Sequence, residues 1–158
     1  MTTLFQRRSD WRSFEHAAPT VVAALGMLSK AVDDSGLDKQ LTELLKLRAS
    51  QLNGCAFCLQ FHLNLARKIG LSQVKIDLVA TWQEAGIFTA RERAALGWTE
   101  ALTLMAQQHV SDAYYAKVKE EFTEPEIAFL TTAIGAINAW NRIAGALQFA
   151  PPIPVQSV

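Results

Sequence analysis

Cysteine is scarce in this sequence of 158 residues, and charge of neither sign is in excess. Two cysteines are present, and fifteen basic residues balance fifteen acidic ones. Two cysteines allow a single intrachain pair, which leaves no disulfide-rich framework. A net charge of zero provides no attraction to nucleic acid or to an anionic membrane surface, so we expect neither as a partner.

Long hydrophobic runs are also missing, although half of the residues are hydrophobic. No stretch approaches the ~18–20 apolar residues of a membrane span. The first ten residues, MTTLFQRRSD, lack the apolar segment of a signal peptide. We therefore expect a soluble cytoplasmic protein. In such a reducing compartment, cysteines are more often catalytic, redox-sensing or metal-binding than structural.

Hairpin signals between alternating strands are absent, whereas helix start and stop signals recur along the whole chain. The fold should therefore be all-α, a compact bundle of about six to eight helices. The length fits one domain over residues 1–158. We expect a short N-terminal segment and, from about residue 150, a proline-rich extended tail.

Particular residues mark the ends of the predicted helices. Pro19 fits the first turn of a helix, and segments 89–92 and 123–126 match capping boxes. The pattern predicts a well-buried helix over about 38–52, ended by Asn-Gly, and another from Ser72 through Trp82. The helix opened at Thr89 is expected to contain Met105, and the last helix to run to about Phe149.

The richest chemistry lies between Glu43 and Gly70, where both cysteines stand close to one histidine. Cys55 and Cys58 are separated by two residues, so they can share a disulfide across one helical turn. The preceding Asn-Gly places Cys55 at a helix N-terminus, whose unpaired N–H groups favour a thiolate. This pattern is typical of a redox site at the start of a core helix.

His62 follows Cys58 by four residues, so both side chains should project from one helical face. His62 can stabilise a Cys58 thiolate or take its proton. The thiolate could open the O–O bond of a peroxide and become a sulfenic acid. Cys55 could then condense with it to form the disulfide and release water.

Glu43 belongs to the helix before the cysteines. Partial burial beside leucines could raise its pKa towards neutrality and make it a proton acceptor. It reaches His62 only if the two helices pack antiparallel about the Asn-Gly turn. The alternative is an ordinary carboxylate paired with Lys46 or Lys39.

The array of Glu43, Cys55, Cys58 and His62 resembles the signature of the alkylhydroperoxidase D-like (AhpD-like) family within the carboxymuconolactone decarboxylase superfamily. The stretches KLRASQLNGCAFC and RERAALGWTEAL also look like its small single-domain members. The resemblance implies an all-α fold and cofactor-free thiol peroxidase or disulfide reductase activity. It implies that Cys58 is peroxidatic, that Cys55 resolves, and that Glu43 and His62 relay protons. It also implies a homo-oligomer, a trimer or hexamer.

The chain departs from the family at Phe57. Peroxidase members can carry a histidine immediately before the second cysteine, and phenylalanine can neither donate nor accept a proton. The change weighs against efficient peroxidase activity more than against dithiol exchange.

Several functions compete for the same residues. The first is an antioxidant peroxidase that reduces a hydroperoxide and is re-reduced by a lipoyl or thioredoxin-like dithiol protein. General disulfide exchange, redox sensing and a purely structural oligomer are alternatives, as is lactone decarboxylase chemistry, which does not require a CxxC pair. A zinc site is the remaining rival, but Glu43 is its only obvious fourth ligand.

Other distinctive residues carry weaker signals. The partners of His16 and His109 are not evident. The four tryptophans are most simply core or interface anchors. Polar residues in the apolar last helix need partners, and we expect them to line the pocket or an oligomer seam; they are Asn138, Asn141 and Arg142.

Overall fold

A computed structural model of the chain describes residues 7–155. Within that range the chain forms nine α-helices, so the predicted all-α fold is confirmed. Parts of the predicted N-terminal segment and of the proline-rich tail, residues 1–6 and 156–158, lie outside the described residues. The helices are α1 (Trp11–Ala17), α2 (Pro19–Asp33), α3 (Lys39–Leu52), α4 (Ala56–Lys68), α5 (Gln73–Leu78), α6 (Trp82–Ala85), α7 (Ala90–Thr103), α8 (Asp112–Glu121) and α9 (Glu124–Leu147).

The helix ends follow local hydrogen-bonding chemistry. Both predicted capping boxes form, at Thr89 with Glu92 and at Thr123 with Glu126. In each box the threonine and the glutamate satisfy backbone N–H groups that the first turn leaves free. Pro19 begins α2 as expected, because a first-turn residue has no intrahelical use for an N–H.

The structure differs from the predicted boundaries in three places. The helix expected from Ser72 through Trp82 is divided into α5, a single 3-10 turn at Val79–Thr81, and α6. The next long helix, α7, ends at Thr103, and Met105 lies beyond it with 61% of its surface exposed. The last helix ends at Leu147, because Gln148 adopts the left-handed conformation with φ 57° and turns the chain.

Helix α3 is the centre of the fold and packs against α4, α7 and α9. Eight of its fourteen residues are buried, including Leu44, Leu45 and Leu47. The hydrophobic effect therefore holds this helix in the middle of the bundle. No helix within residues 7–155 is long and apolar enough to cross a membrane.

Helices α3 and α4 form the antiparallel hairpin on which the predicted site depends. Residues equidistant from their connection face each other, as shown by the contact of Gln40 with the carbonyl of Ile69 and that of Glu43 with His62. Gly54 makes the connection with φ 64°, a left-handed conformation that glycine adopts without steric cost. The hairpin places the CxxC pair at one end of the core.

Candidate functional site

The two cysteines lie at the N-terminal end of α4. Cys55 is the N-cap residue, and its Sγ accepts a hydrogen bond from the backbone N–H of Cys58 at 3.2 Å. Their Cα atoms are 5.4 Å apart, and the sulfurs are joined as a disulfide. Only 2% of Cys55 and 3% of Cys58 is exposed. Access to either sulfur therefore depends on cavities rather than on the open surface.

Glu43 and His62 form a buried pair between α3 and α4. Glu43 has no exposed surface, and its Oε2 lies 2.6 Å from Nδ1 of His62. The other carboxylate oxygen, Oε1, accepts a hydrogen bond from Nζ of Lys46 at 2.8 Å, and Nζ of Lys39 lies 3.6 Å away. Glu43 is thus both the predicted partner of His62 and the salt-bridged carboxylate of the alternative interpretation.

The protonation of this pair corrects the expectation for Glu43. Burial alone raises its pKa, but the hydrogen bond from His62 and the charge of Lys46, with that of the His62 ring once it is protonated in acid, lower it to about 2. Glu43 therefore remains a carboxylate at neutral pH and is not the proton acceptor expected from partial burial. The competing cations outweigh desolvation.

The same contact fixes the state of the His62 ring. Burial lowers the pKa of His62 below its usual 6.5, although Glu43 acts in the opposite direction. The ring is consequently neutral at pH 7. An ionised carboxylate can only accept, so Nδ1 must carry the proton that is donated to Glu43. Nε2 is left with a free lone pair and can take a proton.

A cavity of about 580 Å³ adjoins this pair. Cys58 and His62 both line it, so the structure brings these two predicted residues to one space. Most of its walls are apolar, and they come from α1, α2, α3, α4, α9 and the tail after α9. The lining residues are Trp11, Ser29, Val32, Asp33, Lys39, Lys46, Phe57, Cys58, Phe61, His62, Leu65, Ala133, Ala136, Ile137, Trp140 and Pro152.

A second cavity of about 420 Å³ lies at the other cysteine. Its lining includes Cys55, and the last turn of α9 and the following tail supply much of its wall. Phe57 lines this cavity and the larger one, so its ring lies between them. The lining residues are Arg7, Gly54, Cys55, Ala56, Phe57, Ala144, Gly145, Gln148, Phe149 and Pro151.

Aromatic packing holds Phe57 in place. Its ring stacks on Trp11 and on Phe61, with centroid distances of 6.3 Å in both cases. Phe149 meets it edge-on at 5.4 Å. Such pairs each contribute about 0.5–1.5 kcal/mol beyond their buried area. The residue that departs from the family pattern is thus a fixed part of both cavity walls.

All four tryptophans pack in or against a hydrophobic core, as the sequence predicts, and two of them also line the site. Trp82 and Trp98 are buried in the main core. Trp11 and Trp140 line the large cavity, with their ring centroids 5.6 Å apart. Sequence reasoning missed them as site residues, because they lie far from the cysteines along the chain. Their spacing carried no signal of that proximity.

The polar residues of α9 have a structural role that the sequence did not identify. Asn53, at the end of α3, donates to the side-chain oxygens of Asn138 at 3.0 Å and Asn141 at 2.8 Å. Asn141 in turn donates to the buried hydroxyl of Ser50. Neither asparagine, nor Arg142, lines either of the two cavities. The two asparagines join α9 to the turn that precedes Cys55.

The remaining candidates stand apart from the site. His16 and His109 are exposed. Among residues 7–155, no group of three or more His, Cys, Asp and Glu side chains has an arrangement that could hold a metal ion. Glu43, the fourth ligand that zinc would need, directs its oxygens at His62 and Lys46.

Comparison with known proteins agrees with this arrangement. The Carboxymuconolactone decarboxylase family matches residues 16–101, which include all four residues of the array. The protein YdfG of Bacillus subtilis, which is uncharacterized, is 35% identical over 135 residues, covering 85% of this chain and 92% of its own length. Both matches extend over far more of the chain than the CxxC pair at residues 55–58.

Solved structures share the fold. A protein of unknown function from Agrobacterium tumefaciens, for which a role as the antioxidant defence protein AhpD has been suggested, is 38% identical with a TM-score of 0.88, over 94% of this chain and all of that one. A variant of the debrominase Bmp8, in complex with 2,3,4-tribromopyrrole, is 18% identical with a TM-score of 0.73, over 84% of this chain and 71% of that one. The chain belongs to the carboxymuconolactone decarboxylase family and is similar to its AhpD-like members.

Proposed function

We propose that this protein is a thiol-dependent peroxidase that reduces organic hydroperoxides through a dithiol–disulfide cycle of Cys58 and Cys55. The observation that carries the proposal is the large cavity, because it has Cys58 and the neutral, Glu43-held ring of His62 in the same wall. A thiol that reacts with peroxide needs a nearby base and a space for the substrate, and the cavity offers both.

The first half of the cycle oxidises Cys58. His62 takes the thiol proton at Nε2, and the Cys58 thiolate attacks the terminal oxygen of the hydroperoxide. The O–O bond breaks, Cys58 becomes a sulfenic acid, and the alkoxide leaves with the proton returned by His62, as an alcohol. The carboxylate of Glu43 keeps the ring oriented and stabilises its charge while it holds the proton.

The second half forms the disulfide. Cys55 is well placed to resolve the sulfenic acid, because its sulfur lies within one helical turn of Cys58. The N–H of Cys58 that bonds to Sγ of Cys55 also stabilises the Cys55 thiolate. That thiolate attacks the sulfur of the sulfenic acid, the S–O bond breaks, and the leaving hydroxide takes up the proton that the Cys55 thiol lost and departs as water. A dithiol donor then restores both thiols.

The partners of this cycle follow from the same chemistry. The reductant is a lipoyl or thioredoxin-like dithiol protein of the cytoplasm, where a disulfide can be reduced again. We also propose a homo-oligomer, a trimer or hexamer. Helix α2 supports it, since Val21, Met27 and Leu28 expose 42%, 73% and 38% of their surfaces.

The proposal is tested by adding one equivalent of cumene hydroperoxide to the reduced protein and following free thiols and intact mass. Both thiols should disappear with the loss of two hydrogen atoms. The variant Cys58→Ser should consume no peroxide, whereas Cys55→Ser should leave a sulfenic acid that dimedone traps. Survival of both thiols in excess peroxide would exclude peroxidase activity.

A second candidate reaction is the reductive removal of halogen from an aromatic ring. Trp11, Phe57 and Trp140 give the large cavity flat aromatic walls, and the structurally similar Bmp8 is a debrominase. The electrons balance in the same way, because two thiols become a disulfide while a carbon–bromine bond becomes carbon–hydrogen and bromide leaves. Incubation of the reduced protein with 2,3,4-tribromopyrrole, followed by bromide release, separates this activity from peroxide reduction.

A further inference from the structure

The two cysteines of the disulfide line different cavities. Cys58 lines the large cavity with His62, and Cys55 lines the second cavity at the end of α9. Phe57 lies between the two spaces, held by Trp11 and Phe149. A molecule in one cavity therefore meets one sulfur first.

We propose that the second cavity is the binding site of the reducing thiol, which attacks Cys55 and not Cys58. This inference rests on the dithiol–disulfide part of the proposed function. Beyond that function, it identifies which sulfur the reductant attacks and which cavity the reductant enters. The peroxide uses the large cavity, and the reductant uses the second.

The balance of the step is that of thiol–disulfide exchange. The reductant thiolate attacks Sγ of Cys55, the Cys55–Cys58 bond breaks, and Cys58 leaves as a thiolate that takes a proton. The second thiol of the reductant then attacks the reductant's first sulfur, which is bonded to Cys55 in the mixed disulfide. This step releases Cys55 as a thiol. The reductant ends as a disulfide, and the protein ends with two thiols.

The direction of attack supports this route. A thiolate approaches a disulfide along the sulfur–sulfur axis, from the side opposite the leaving sulfur. A thiolate that attacks Cys55 therefore comes from the side of Cys55 that is opposite Cys58. Product alcohol in the large cavity then does not obstruct reduction. Cys58 is also released directly into the space where the next peroxide binds.

The walls of the second cavity indicate the kind of reductant. Cys55 is 2% exposed, so a flat protein surface does not reach its sulfur, whereas a thin thiol-bearing group does. Small residues line the second cavity, among them Gly54, Ala56 and Gly145. Arg7 adds a positive charge to its wall. The structure therefore favours a thiol on a slender aliphatic arm, such as a lipoyl group, over a thiol set in a flat protein surface.

The attacked sulfur can be identified on the unaltered protein. The disulfide is formed with diamide, so no peroxide is involved, and glutathione is added as a monothiol with carboxylates. Early products are trapped with N-ethylmaleimide and located by fragmenting the peptide that holds both cysteines. We expect glutathione on Cys55 and maleimide on Cys58. Glutathione on Cys58 would overturn the inference.

A pair of glycine variants in α9 tests the route. A Cβ added at Gly145, in the cavity wall, or at Gly135, outside both cavities, meets no atom within 4 Å. Gly145→Phe should fill the second cavity and slow reduction by dihydrolipoate about tenfold more than it slows oxidation by cumene hydroperoxide. Gly135→Phe is the matched control and should change neither the rate of reduction nor the rate of oxidation. Equal slowing of both half-reactions in Gly145→Phe would contradict the separate route.

The reciprocal variant addresses the other cavity. Ser29 is a small residue of α2 in the wall of the large cavity. Ser29→Phe should slow the peroxide half-reaction about tenfold more than reduction by dihydrolipoate. If the reduced protein does not react with peroxide but its disulfide forms a mixed disulfide with glutathione at Cys55, the proposed peroxidase activity is overturned and this inference is supported. The two ideas therefore fail separately.

Discussion

At the scale of single residues, the candidate site contains a buried carboxylate that stays ionised at neutral pH. Glu43 is buried with no exposed surface, yet His62 and Lys46 keep its pKa near 2. Its fixed negative charge makes Nδ1 of His62 the protonated nitrogen and so frees Nε2. In the proposed mechanism, Glu43 is a positioning residue that acts through the ring of His62.

Replacing Glu43 with glutamine should slow the reaction of Cys58 with peroxide by about a hundredfold, the scale of positioned acid–base catalysis. The amide does not stabilise the ring charge that develops while His62 holds the proton. Rapid-mixing measurement of tryptophan fluorescence follows the rate, and oxidation by diamide should still go to completion. Glu120→Gln, on the exposed side of α8, is the control. An unchanged rate would remove Glu43 from the mechanism.

The buried pair should also make the protein sensitive to acid. The pKa of Glu43 is about 2 in the fold and 4.5 without it, so its stabilising contribution is complete above pH 4.5 and is lost as the pH falls towards 2. That contribution is about 3 kcal/mol. The lowered pKa of His62 adds a loss that begins below pH 6.5, because the unfolded chain takes the proton more readily.

Urea unfolding between pH 7 and pH 3 measures this effect. The free energy of unfolding should fall as the pH is lowered, and Glu43→Gln should remove the part of the slope that lies below pH 4.5. An identical slope in both proteins would mean that Glu43 has an ordinary pKa in the fold.

At the scale of elements, the α3–α4 hairpin places the site, and α9 holds the hairpin. Asn141 is 3% exposed and links α9 to Ser50 and Asn53, just before the turn at Gly54. Buried amides satisfied in this way fix the geometry of a turn, because breaking the network leaves polar groups without partners.

Replacing Asn141 with leucine should lower the free energy of unfolding by about 1–3 kcal/mol, since the buried Ser50 hydroxyl loses a donor. Thr132→Ala is a suitable control on the same helix. The Thr132 hydroxyl bonds only to the carbonyl of Ala128, so its loss should change stability by less than about 0.5 kcal/mol. Denaturant unfolding compares the two, and equal effects would show that the network is unimportant.

Sequence reasoning was successful where the interactions are local. The capping boxes, Pro19 and Gly54 set helix ends through neighbouring residues, and helical spacing placed Cys58 and His62 on one face. The sequence predicted one continuous helix over residues 72–82, and this prediction was wrong, because the segment is divided into three short pieces. Periodicity records which residues are buried, but it does not distinguish one helix from short pieces that bury the same residues.

The rest of the site depends on contacts that spacing does not encode. The direction of the Glu43 pKa shift comes from a competition between burial and nearby cations, and only coordinates give both. Trp11, Phe57 and Trp140 meet because three helices converge. A single sequence contains no record of that convergence.

At the scale of the whole molecule, the chain combines a well-filled core with an uncovered helix. Of the fifteen residues of α2, Val32 is the buried one, although the helix is rich in apolar residues. Val32 and Ser29 also line the large cavity. Subunit contacts along α2 would therefore lie beside the site.

A charge on this surface should weaken self-association. Met27, with 73% of its surface exposed, can be replaced by glutamate without disturbing the core. In light scattering, Met27→Glu should shift the protein towards smaller species, because burying an unpaired carboxylate at an interface is unfavourable. Ala113→Glu, on the exposed face of α8, adds the same charge elsewhere and should leave the mass unchanged. Equal masses for all three proteins would place the interface on another face.

Phe57 belongs to the walls of both cavities, so in the proposed cycle it separates the cavity that takes the peroxide from the one that takes the reductant. Removal of the ring in Phe57→Ala would connect the two cavities. Reductant could then reach the sulfenic acid of Cys58 before Cys55 does and consume it directly. Such a protein would still turn over peroxide, but it would form fewer internal disulfides for each peroxide consumed. In the proposed cycle, the Phe57 ring thus ensures that electrons reach Cys58 through Cys55.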